Sequence, residues 1–304
     1  MLLSSQPYLV TFFKHDDYAY NQQPILLYAG TSPQDLKLYK ELPIKGRDPS
    51  IIKRGDTYYI LVTDYSLKNP HDMTIYTTKD FEKFQRYDLS AGLLSEERPH
   101  VWASDFFVDK TGQLWVVTSV NDRGREKTYT GYWQPSFSPY LVPLDLEKMT
   151  LGKPRKLELA DTNYIDGYIF TVGSQYNMVI KDETNKQLEL WSSEDLLNWK
   201  QDLDIIPNTG RWVEGASVLY DKESKEYTIY IDQYNPTQTA EAGMYYVKTK
   251  DFKSFSKRYR LVTDQRVRHG SGIVDDNFKP KKWWQTLSEK IKAWLRKSWH
   301  FFFT

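Results

Sequence analysis

The sequence predicts an all-β fold, a five-bladed β-propeller, and three observations lead to it. Short alternating apolar runs such as TYYILVTD, QLWVVTSV and EYTIYID follow one another to about residue 275, bounded by Gly, Asp and Asn turns, as antiparallel strands are. Two motifs each recur five times along the chain, in step with one another. Strand-like runs at the N-terminus precede the first complete repeat and have no neighbouring partners in the sequence.

The first repeated motif is an Asp followed by apolar residues in a turn-like segment. Its copies are SPQDLKLY, TTKDFEKF, LVPLDLEKM, SSEDLLNW and KTKDFKSF, with Asp35, Asp80, Asp145, Asp195 and Asp251. The copies lie about 45 to 65 residues apart. That spacing leaves room for one four-stranded blade per copy.

The second repeated motif opens with a polar or charged residue and continues as a buried strand. Its opening residues are Asp48, Asp105, Asp166, Glu214 and His269. In a propeller the innermost strand of each blade lines a central channel, so we expect these five residues to converge at one end of it. The alternative is a β-sandwich whose Asp turns match by coincidence, since Asp is common in turns.

The last blade is predicted to be composite. No strand-like run follows HGSGIV, whereas YLVTFFKH, PILLYAG and LKLYKEL stand unpaired at the N-terminus. We expect these N-terminal strands to complete the fifth blade around the strand at residues 269–275, which closes the ring and hides the exposed sheet edges. The propeller is then one domain over residues 1–278.

Composition limits the classes of function. The 41 basic and 40 acidic residues give a formal net charge of +1, which argues against a general electrostatic footprint for nucleic acid. The absence of Cys excludes disulfides, thiolate metal sites and a Cys nucleophile. Aromatic residues make up 15% of the chain; they suit either β-strands or the binding of sugar rings.

A cluster of carboxylates at the channel mouth suits the hydrolysis of glycosidic bonds. That reaction needs one carboxylic acid and one carboxylate on either side of the sugar, and an inverting enzyme holds them roughly 6.5 to 9.5 Å apart. The segments GRDPSIIKRGDTYYILVTD, HVWASDFF, NYIDGYIFTV, WVEGASVLYD and VRHGSGIV resemble the successive blade motifs of glycoside hydrolase family 43. The resemblance covers nearly all of residues 7–275.

The resemblance implies a role for each motif residue. Asp48 in RDPS matches the general base that activates water, and Glu214 in VEGA matches the general acid. Asp166 in YIDG matches the carboxylate that orients the acid and raises its pKa. Arg268 resembles an arginine that contacts sugar hydroxyls, and its alternative role is to neutralise the carboxylates. His269 matches a residue that helps to hold a water-coordinated ion, often calcium, and a structural histidine without metal is the alternative.

Other candidates for sugar binding come from their place beside these motifs. Asp105 is expected to line the channel as a polar residue. Apart from the water-coordinated ion beside His269, no cofactor is expected. The aromatic candidates, each equally consistent with packing between blades, are Phe13, Trp102, Tyr164, Trp212 and Tyr234.

The C-terminal segment, residues 279–304, has no counterpart in the resemblance. Its apolar residues follow helical spacing, and Lys and Arg dominate its charges, which predicts a basic amphipathic helix. Through residues 281–304 this helix would dock on the propeller, associate with a second copy, or lie on an anionic membrane surface. We expect docking on protein.

The sequence therefore predicts an inverting exo-glycosidase that removes terminal pentoses, as β-xylosides or α-L-arabinofuranosides, from oligosaccharides. A different glycoside, such as a galactofuranoside or a fructoside, is one alternative. A non-catalytic carbohydrate-binding propeller, membrane-associated through its C-terminal helix, is the other. The given sequence shows no signal-peptide pattern, so we expect a cytoplasmic protein, with peripheral membrane attachment as the alternative.

Overall fold

Five four-stranded antiparallel blades build the structure, a computed structural model that describes residues 7–15, 23–64, 70–234 and 241–278. At the N-terminus lie β1 (Tyr8–Lys14), β2 (Pro24–Gly30) and β3 (Leu36–Lys45). Blade 1 consists of β4 (Arg47–Arg54), β5 (Thr57–Thr63), β6 (Met73–Thr78) and β7 (Gln85–Leu89).

Blade 2 carries an extra hairpin between its second and third strands. The hairpin is formed by β10 (Arg125–Lys127) and β11 (Trp133–Pro135). The blade itself consists of β8 (Val101–Val108), β9 (Leu114–Val120), β12 (Ser138–Asp145) and β13 (Thr150–Leu151), with β14 (Arg155–Lys156) also pairing with β12.

The remaining strands complete the ring. Blade 3 consists of β15 (Tyr164–Val172), β16 (Gln175–Asp182), β17 (Gln187–Ser193) and β18 (Lys200–Leu203). Blade 4 consists of β19 (Val213–Asp221), β20 (Glu226–Gln233), β21 (Gly243–Thr249) and β22 (Tyr259–Arg260). The last strand is β23 (Val267–Val274).

Blade 5 is composite, as predicted. Its strand order is β23-β1-β2-β3, with Tyr8 opposite Val274 at one end of the β1–β23 pair and Lys14 opposite Val267 at the other. The inner strand therefore comes from the end of the described chain and the three outer strands from its beginning. Each inner strand contacts the inner strands on both sides, so the ring is closed.

Apolar side chains fill the spaces between blades. Five buried clusters each combine residues of two neighbouring blades, such as Phe13 of blade 5 with Ile60 of blade 1, and Phe107 of blade 2 with Met178 of blade 3. Both faces of each sheet are thus covered, and the aromatic content serves this packing to a large extent. This packing holds the inner strands, and with them the channel mouth.

The first repeated motif forms turns before the outermost strand. The Oδ1 atoms of Asp80, Asp145, Asp195 and Asp251 each accept hydrogen bonds from the backbone N–H groups two and three residues later. Asp35 lies in the corresponding turn of blade 5, where its own N–H donates to Ser32 Oγ. These aspartates are structural.

The described residues contain strands, turns and bends, and among them no helix is long and apolar enough to cross a membrane. The helix predicted for residues 279–304 lies outside the described residues.

Candidate active site

A β-bulge near the start of each inner strand shapes the channel mouth. The pairing register shifts at the same place in all five inner strands, and one residue there has a left-handed backbone. These residues are Asp48 (φ 50°), Ala103 (φ 46°), Asp166 (φ 56°), Gly215 (φ 56°) and His269 (φ 34°). Such a backbone is uncommon for a residue other than Gly, and it re-aims the side chain relative to a regular strand. The bulges therefore give the five blades equivalent positions.

This register corrects the equivalence predicted from the second repeated motif. Asp105 lies two residues beyond the bulge residue of its strand, Ala103, and Glu214 lies one residue before its own, Gly215. Only Asp48, Asp166 and His269 occupy truly equivalent positions. The five predicted residues come together at the mouth, but at more than one level of the channel.

His269 connects two of the predicted carboxylates. Its Nδ1 lies 3.3 Å from Asp48 Oδ1 and 3.9 Å from Asp166 Oδ2, and all three side chains are buried. Burial alone would lower the pKa of His269, but the carboxylates of Asp48 and Asp166 outweigh it and raise that pKa. His269 thus lies between two carboxylates that favour its protonated form.

Asp166 connects this group to Glu214 through the backbone. Asp166 Oδ2 accepts a hydrogen bond of 2.9 Å from Gly215 N, and Asp166 N donates to Ser119 Oγ at 3.1 Å. Burial raises the pKa of Asp166 to about 6, with the nearby Glu214 adding to the rise and His269 opposing it. Asp166 thus holds the backbone beside Glu214.

Glu214 is held by two cations. Its Oε2 accepts a hydrogen bond of 2.7 Å from Lys181 Nζ, and its Oε1 accepts one from Arg268. Burial alone would raise the pKa of Glu214, but Lys181 and Arg268 outweigh it and lower that pKa well below its usual range. The raised pKa expected for the acid therefore lies on Asp166, and Glu214 is a carboxylate in this arrangement.

Arg268 has a second acidic partner. Its Nε donates to Asp232 Oδ2 at 2.8 Å, while a terminal nitrogen donates to Glu214. The structure shows Arg268 neutralising two carboxylates, and the predicted contact with sugar hydroxyls stays a prediction. Its ring neighbours are Phe13 and Tyr234, whose centroids lie 5.8 and 5.7 Å from its guanidinium carbon.

Lys181, like Asp232, is a site residue that the sequence patterns did not single out. It is 1% exposed, and its Nζ lies 2.5 Å from Glu183 Oε2 as well as 2.7 Å from Glu214 Oε2. Burial alone would lower the pKa of Lys181, but these two carboxylates raise it. The signal was in the sequence: a single Lys inside the apolar run YNMVIKD, where a cation needs a buried partner.

Asp105 lies deeper than the carboxylates at the mouth. It is 6% exposed, beside Ser50 and Ser271, whose hydroxyls are 3.2 Å apart, and Ser50 Oγ accepts a bond from Phe106 N. Burial raises the pKa of Asp105 to about 7. Among the described residues its Oδ1 has no hydrogen-bond partner. Asp105 is a buried polar residue of the inner strand of blade 2, two residues beyond the bulge.

Two of the aromatic candidates belong to the core. Phe13 is 1% exposed within the cluster between blades 5 and 1. Tyr164 is 2% exposed within the cluster between blades 2 and 3, where its hydroxyl donates to Glu189 at 3.0 Å. Neither ring has a free face for a sugar, so these two predictions of sugar contacts are corrected.

The other aromatic candidates lie nearer the mouth. Half-buried Trp102 packs against Phe137 and His100, with centroids 4.7 and 5.0 Å away. Trp212 and Tyr234 are also half-buried and meet edge to face at 5.9 Å. Trp102 and Trp212 remain candidates for sugar contacts.

The described residues offer no direct metal site. They contain no group of three or more His, Asp or Glu side chains arranged to hold a metal ion. His269 Nδ1 lies 3.3 Å from Asp48 Oδ1. The predicted water-coordinated calcium stays a prediction and enters no chemical step below.

Comparisons with known proteins identify the family of the chain and proteins that share its fold. A family model described as a probable glycosyl hydrolase domain, from a group related to family 43, matches residues 38–273. No curated protein matches the chain.

Solved structures of family 43 share the fold at low sequence identity. A family 43 β-1,3-galactosidase is 12% identical, with a TM-score of 0.58 over 80% of this chain and 54% of that one. An α-L-arabinofuranosidase from Clostridium thermocellum is 11% identical, with a TM-score of 0.57 over 88% and 91%. An enzyme from Xanthomonas citri in complex with xylotriose is 8% identical, with a TM-score of 0.59 over 85% and 88%. The chain thus spans about half of the first of these proteins and most of the other two.

Proposed function

The chain belongs to the glycosyl hydrolase family related to family 43, and from this premise we propose that it is an inverting exo-glycosidase that removes terminal pentoses from oligosaccharides. The substrates in this proposal are β-xylosides or α-L-arabinofuranosides. The observation that carries it is the continuous chain of contacts from Asp48 through His269 and Asp166 to the backbone of Gly215, next to Glu214.

Asp48 is the general base in this proposal. Its side chain lies at the mouth and is 8% exposed, and His269 Nδ1 is 3.3 Å from its Oδ1. A carboxylate there takes a proton from the water that attacks the anomeric carbon, and the bond from that carbon to the leaving oxygen breaks on the opposite side.

Glu214 is the general acid and gives its proton to the leaving oxygen. In the ligand-free arrangement both its oxygens accept bonds from cations, so it gains a proton only when Lys181 or Arg268 shifts away. Lys181 has Glu183 as a second partner at 2.5 Å, and Arg268 has Asp232 at 2.8 Å. Each cation therefore keeps a carboxylate partner when it releases Glu214.

Asp166 positions the acid. Its bond to Gly215 N fixes the backbone next to Glu214, and its negative charge favours the protonated form of Glu214 once a cation has moved. The three carboxylates thus have different environments: Asp166 is bonded to the backbone, Asp48 lies beside His269, and Glu214 lies between two cations.

A panel of nitrophenyl pentosides and hexosides tests the function, with Glu214→Gln beside the wild type. We expect release of nitrophenol from a β-xyloside or an α-L-arabinofuranoside. If the protein turns over only hexosides, the proposed substrate becomes a hexoside and no longer a pentoside. No turnover of any member would favour the alternative of a non-catalytic carbohydrate-binding propeller.

A further inference from the structure

The β10–β11 hairpin exposes three aromatic rings at the end of the propeller where the inner strands begin. Tyr129 is 47% exposed, Tyr132 72% and Trp133 60%. The hairpin leaves blade 2 after Val120, which pairs with Val101 at the start of the inner strand, so it rises from the mouth end. Exposed aromatic rings collected on one element mark a binding surface.

We propose that this hairpin and Trp212 form a binding site for the leaving-group sugars of an oligosaccharide substrate. The inference rests on the proposed function, because a leaving group is defined by the hydrolysis of a glycosidic bond. It adds Tyr129, Tyr132 and Trp133 to the residues that bind the substrate.

The hairpin is anchored on blade 3. Tyr129 N donates to Thr184 O at 3.1 Å, and Gln134 Nε2 donates to Glu183 O at 3.1 Å. Lys186 Nζ donates to Gln134 Oε1 at 2.7 Å, and Thr184 Oγ1 donates to Glu126. Residues 183–186 follow Asp182, which pairs with Tyr164 at the start of the inner strand β15, so the anchor also lies at the mouth end.

The anchoring leaves one face of the hairpin free. Glu126 and Gln134 pair directly across the hairpin, and both are bonded to blade 3 or to residues beside it. Lys127 and Trp133 form the next pair, and side chains alternate along a strand, so Trp133 lies on the opposite face. Trp212 and Arg211 contact the ring of Tyr129 before a ligand arrives, which reduces the entropy lost on binding at this ring.

A continuous row of rings leads from the hairpin to the proposed acid. The centroid of Tyr129 is 6.2 Å from that of Trp212, which is 5.9 Å from that of Tyr234. Lys181 Nζ lies 4.4 Å from the Tyr234 centroid and 2.7 Å from Glu214 Oε2. The row ends at Glu214, with the base Asp48 on the other side of His269 and Asp166.

The position of this row of rings indicates which part of the substrate would bind to it. The acid protonates the oxygen of the leaving group, so sugars beyond that oxygen extend on the Glu214 side of the cleaved bond. Flat aromatic rings can cover the apolar faces of such sugars, while ring-bound cations such as Arg211, 5.2 Å from the Tyr129 centroid, supply hydrogen-bond donors to hydroxyls.

The test compares two substrates of the same pentose, a nitrophenyl glycoside without leaving-group sugars and a trisaccharide such as xylotriose or arabinotriose. We expect the double variant Tyr129→Ala with Trp133→Ala to lower kcat/KM for the trisaccharide about tenfold or more and to leave the nitrophenyl glycoside unchanged. Tyr220→Ala removes a 40%-exposed Tyr from the opposite end of β19 and is the matched control.

Other outcomes separate the two proposals. An equal loss on both substrates, or no loss on either, would overturn the hairpin site while leaving the glycosidase intact. A wild type that turns over no glycoside would overturn the proposed function. In that case, calorimetric titration with the trisaccharide still tests whether the hairpin binds sugar. Equal affinities of the wild type and the double variant would refute binding at the hairpin. A change from dimer to monomer without selective loss would instead assign the rings to self-association.

Discussion

Lys181 places its ammonium group 2.7 Å from the carboxylate of Glu214 although the side chain is only 1% exposed. A buried cation beside a proposed general acid holds that acid in its ionised form. In the proposed mechanism, this pair therefore controls when Glu214 can donate a proton. The pH dependence of the reaction should therefore report on the ion pair between Lys181 and Glu214.

The variant Lys181→Met should move the alkaline limb of the profile of kcat/KM against pH to higher pH. Glu214 must be protonated to act, so activity is present below its folded-state pKa and falls as pH rises through it. Lys181 lowers that pKa, and its removal should raise the limb by about one pH unit or more. The measurement is kcat/KM against pH on the preferred nitrophenyl glycoside.

Two further variants control this experiment. Lys181→Arg keeps a cation beside Glu214 and should leave the limb close to its wild-type position. Lys53→Met breaks a partly buried ion pair of the same 2.7 Å length, with Asp275 outside the mouth, and should leave the profile unchanged. A loss of activity in Lys181→Met with an unmoved limb would mean that Lys181 is structural only.

The variant Glu214→Gln should depend strongly on the leaving group. The sugar released from an oligosaccharide is a poor leaving group and needs protonation. For an oligosaccharide substrate, kcat/KM should therefore fall about 10²- to 10⁴-fold. A dinitrophenyl glycoside leaves readily without a proton, so its rate should fall far less. Steady-state kinetics on both substrates measure the contrast, and equal losses would remove Glu214 as the acid.

The variant Gly215→Ala should disturb the contact between blades 4 and 5. A Cβ at this position would lie 2.5 Å from His269 Cγ, and the backbone has φ 56°. Gly92→Ala is the control, since its φ is 75° and no atom lies within 4 Å of the added Cβ. We expect about 1 kcal/mol of destabilisation for Gly92→Ala from backbone strain. Gly215→Ala should lose roughly 1 to 3 kcal/mol more from the clash, measured by denaturant unfolding.

The variant Asp105→Asn should alter how stability depends on pH. Burial raises the folded-state pKa of Asp105 to about 7, from the ordinary value of 3.8 for an Asp side chain. The folded protein therefore binds more protons than the unfolded chain between these values, and its stability falls as pH rises from about 4 to 7. Asn cannot ionise, so the Tm of wild type should fall relative to that of the variant over this range. A constant difference in Tm from pH 4 to 8 would contradict the raised pKa.

Much of the fold is readable from the sequence. The repeated motifs predict five blades, and the unpaired N-terminal runs predict the closure in which β1 pairs with β23; both are confirmed. The reason is that the strand pattern and the turn aspartates recur locally in every blade. The residues predicted at the mouth, Asp48, Asp166, Glu214 and His269, also come together there.

The position of each mouth residue relative to the bulge of its strand cannot be predicted from the sequence in the same way. Pro49 favours an extended backbone at Asp48, yet Asp48 has φ 50° because the bulge is set by pairing with β5 and by neighbouring blades. The same tertiary pairing places Asp105 two residues beyond its bulge residue. Burial of Phe13 and Tyr164 likewise depends on packing between blades that are distant in the sequence.

The anomeric form of the first sugar released shows whether Asp48 and Glu214 act as base and acid on opposite sides of the cleaved bond. Proton NMR during hydrolysis of a β-xyloside, or of an α-L-arabinofuranoside if that is the substrate, distinguishes the first-formed anomer before mutarotation. With Asp48 activating water and Glu214 protonating the leaving oxygen, the account predicts inversion, so that a β-xyloside gives α-xylose first. Retention of the anomeric configuration would contradict it, because one of these carboxylates would then act as a nucleophile.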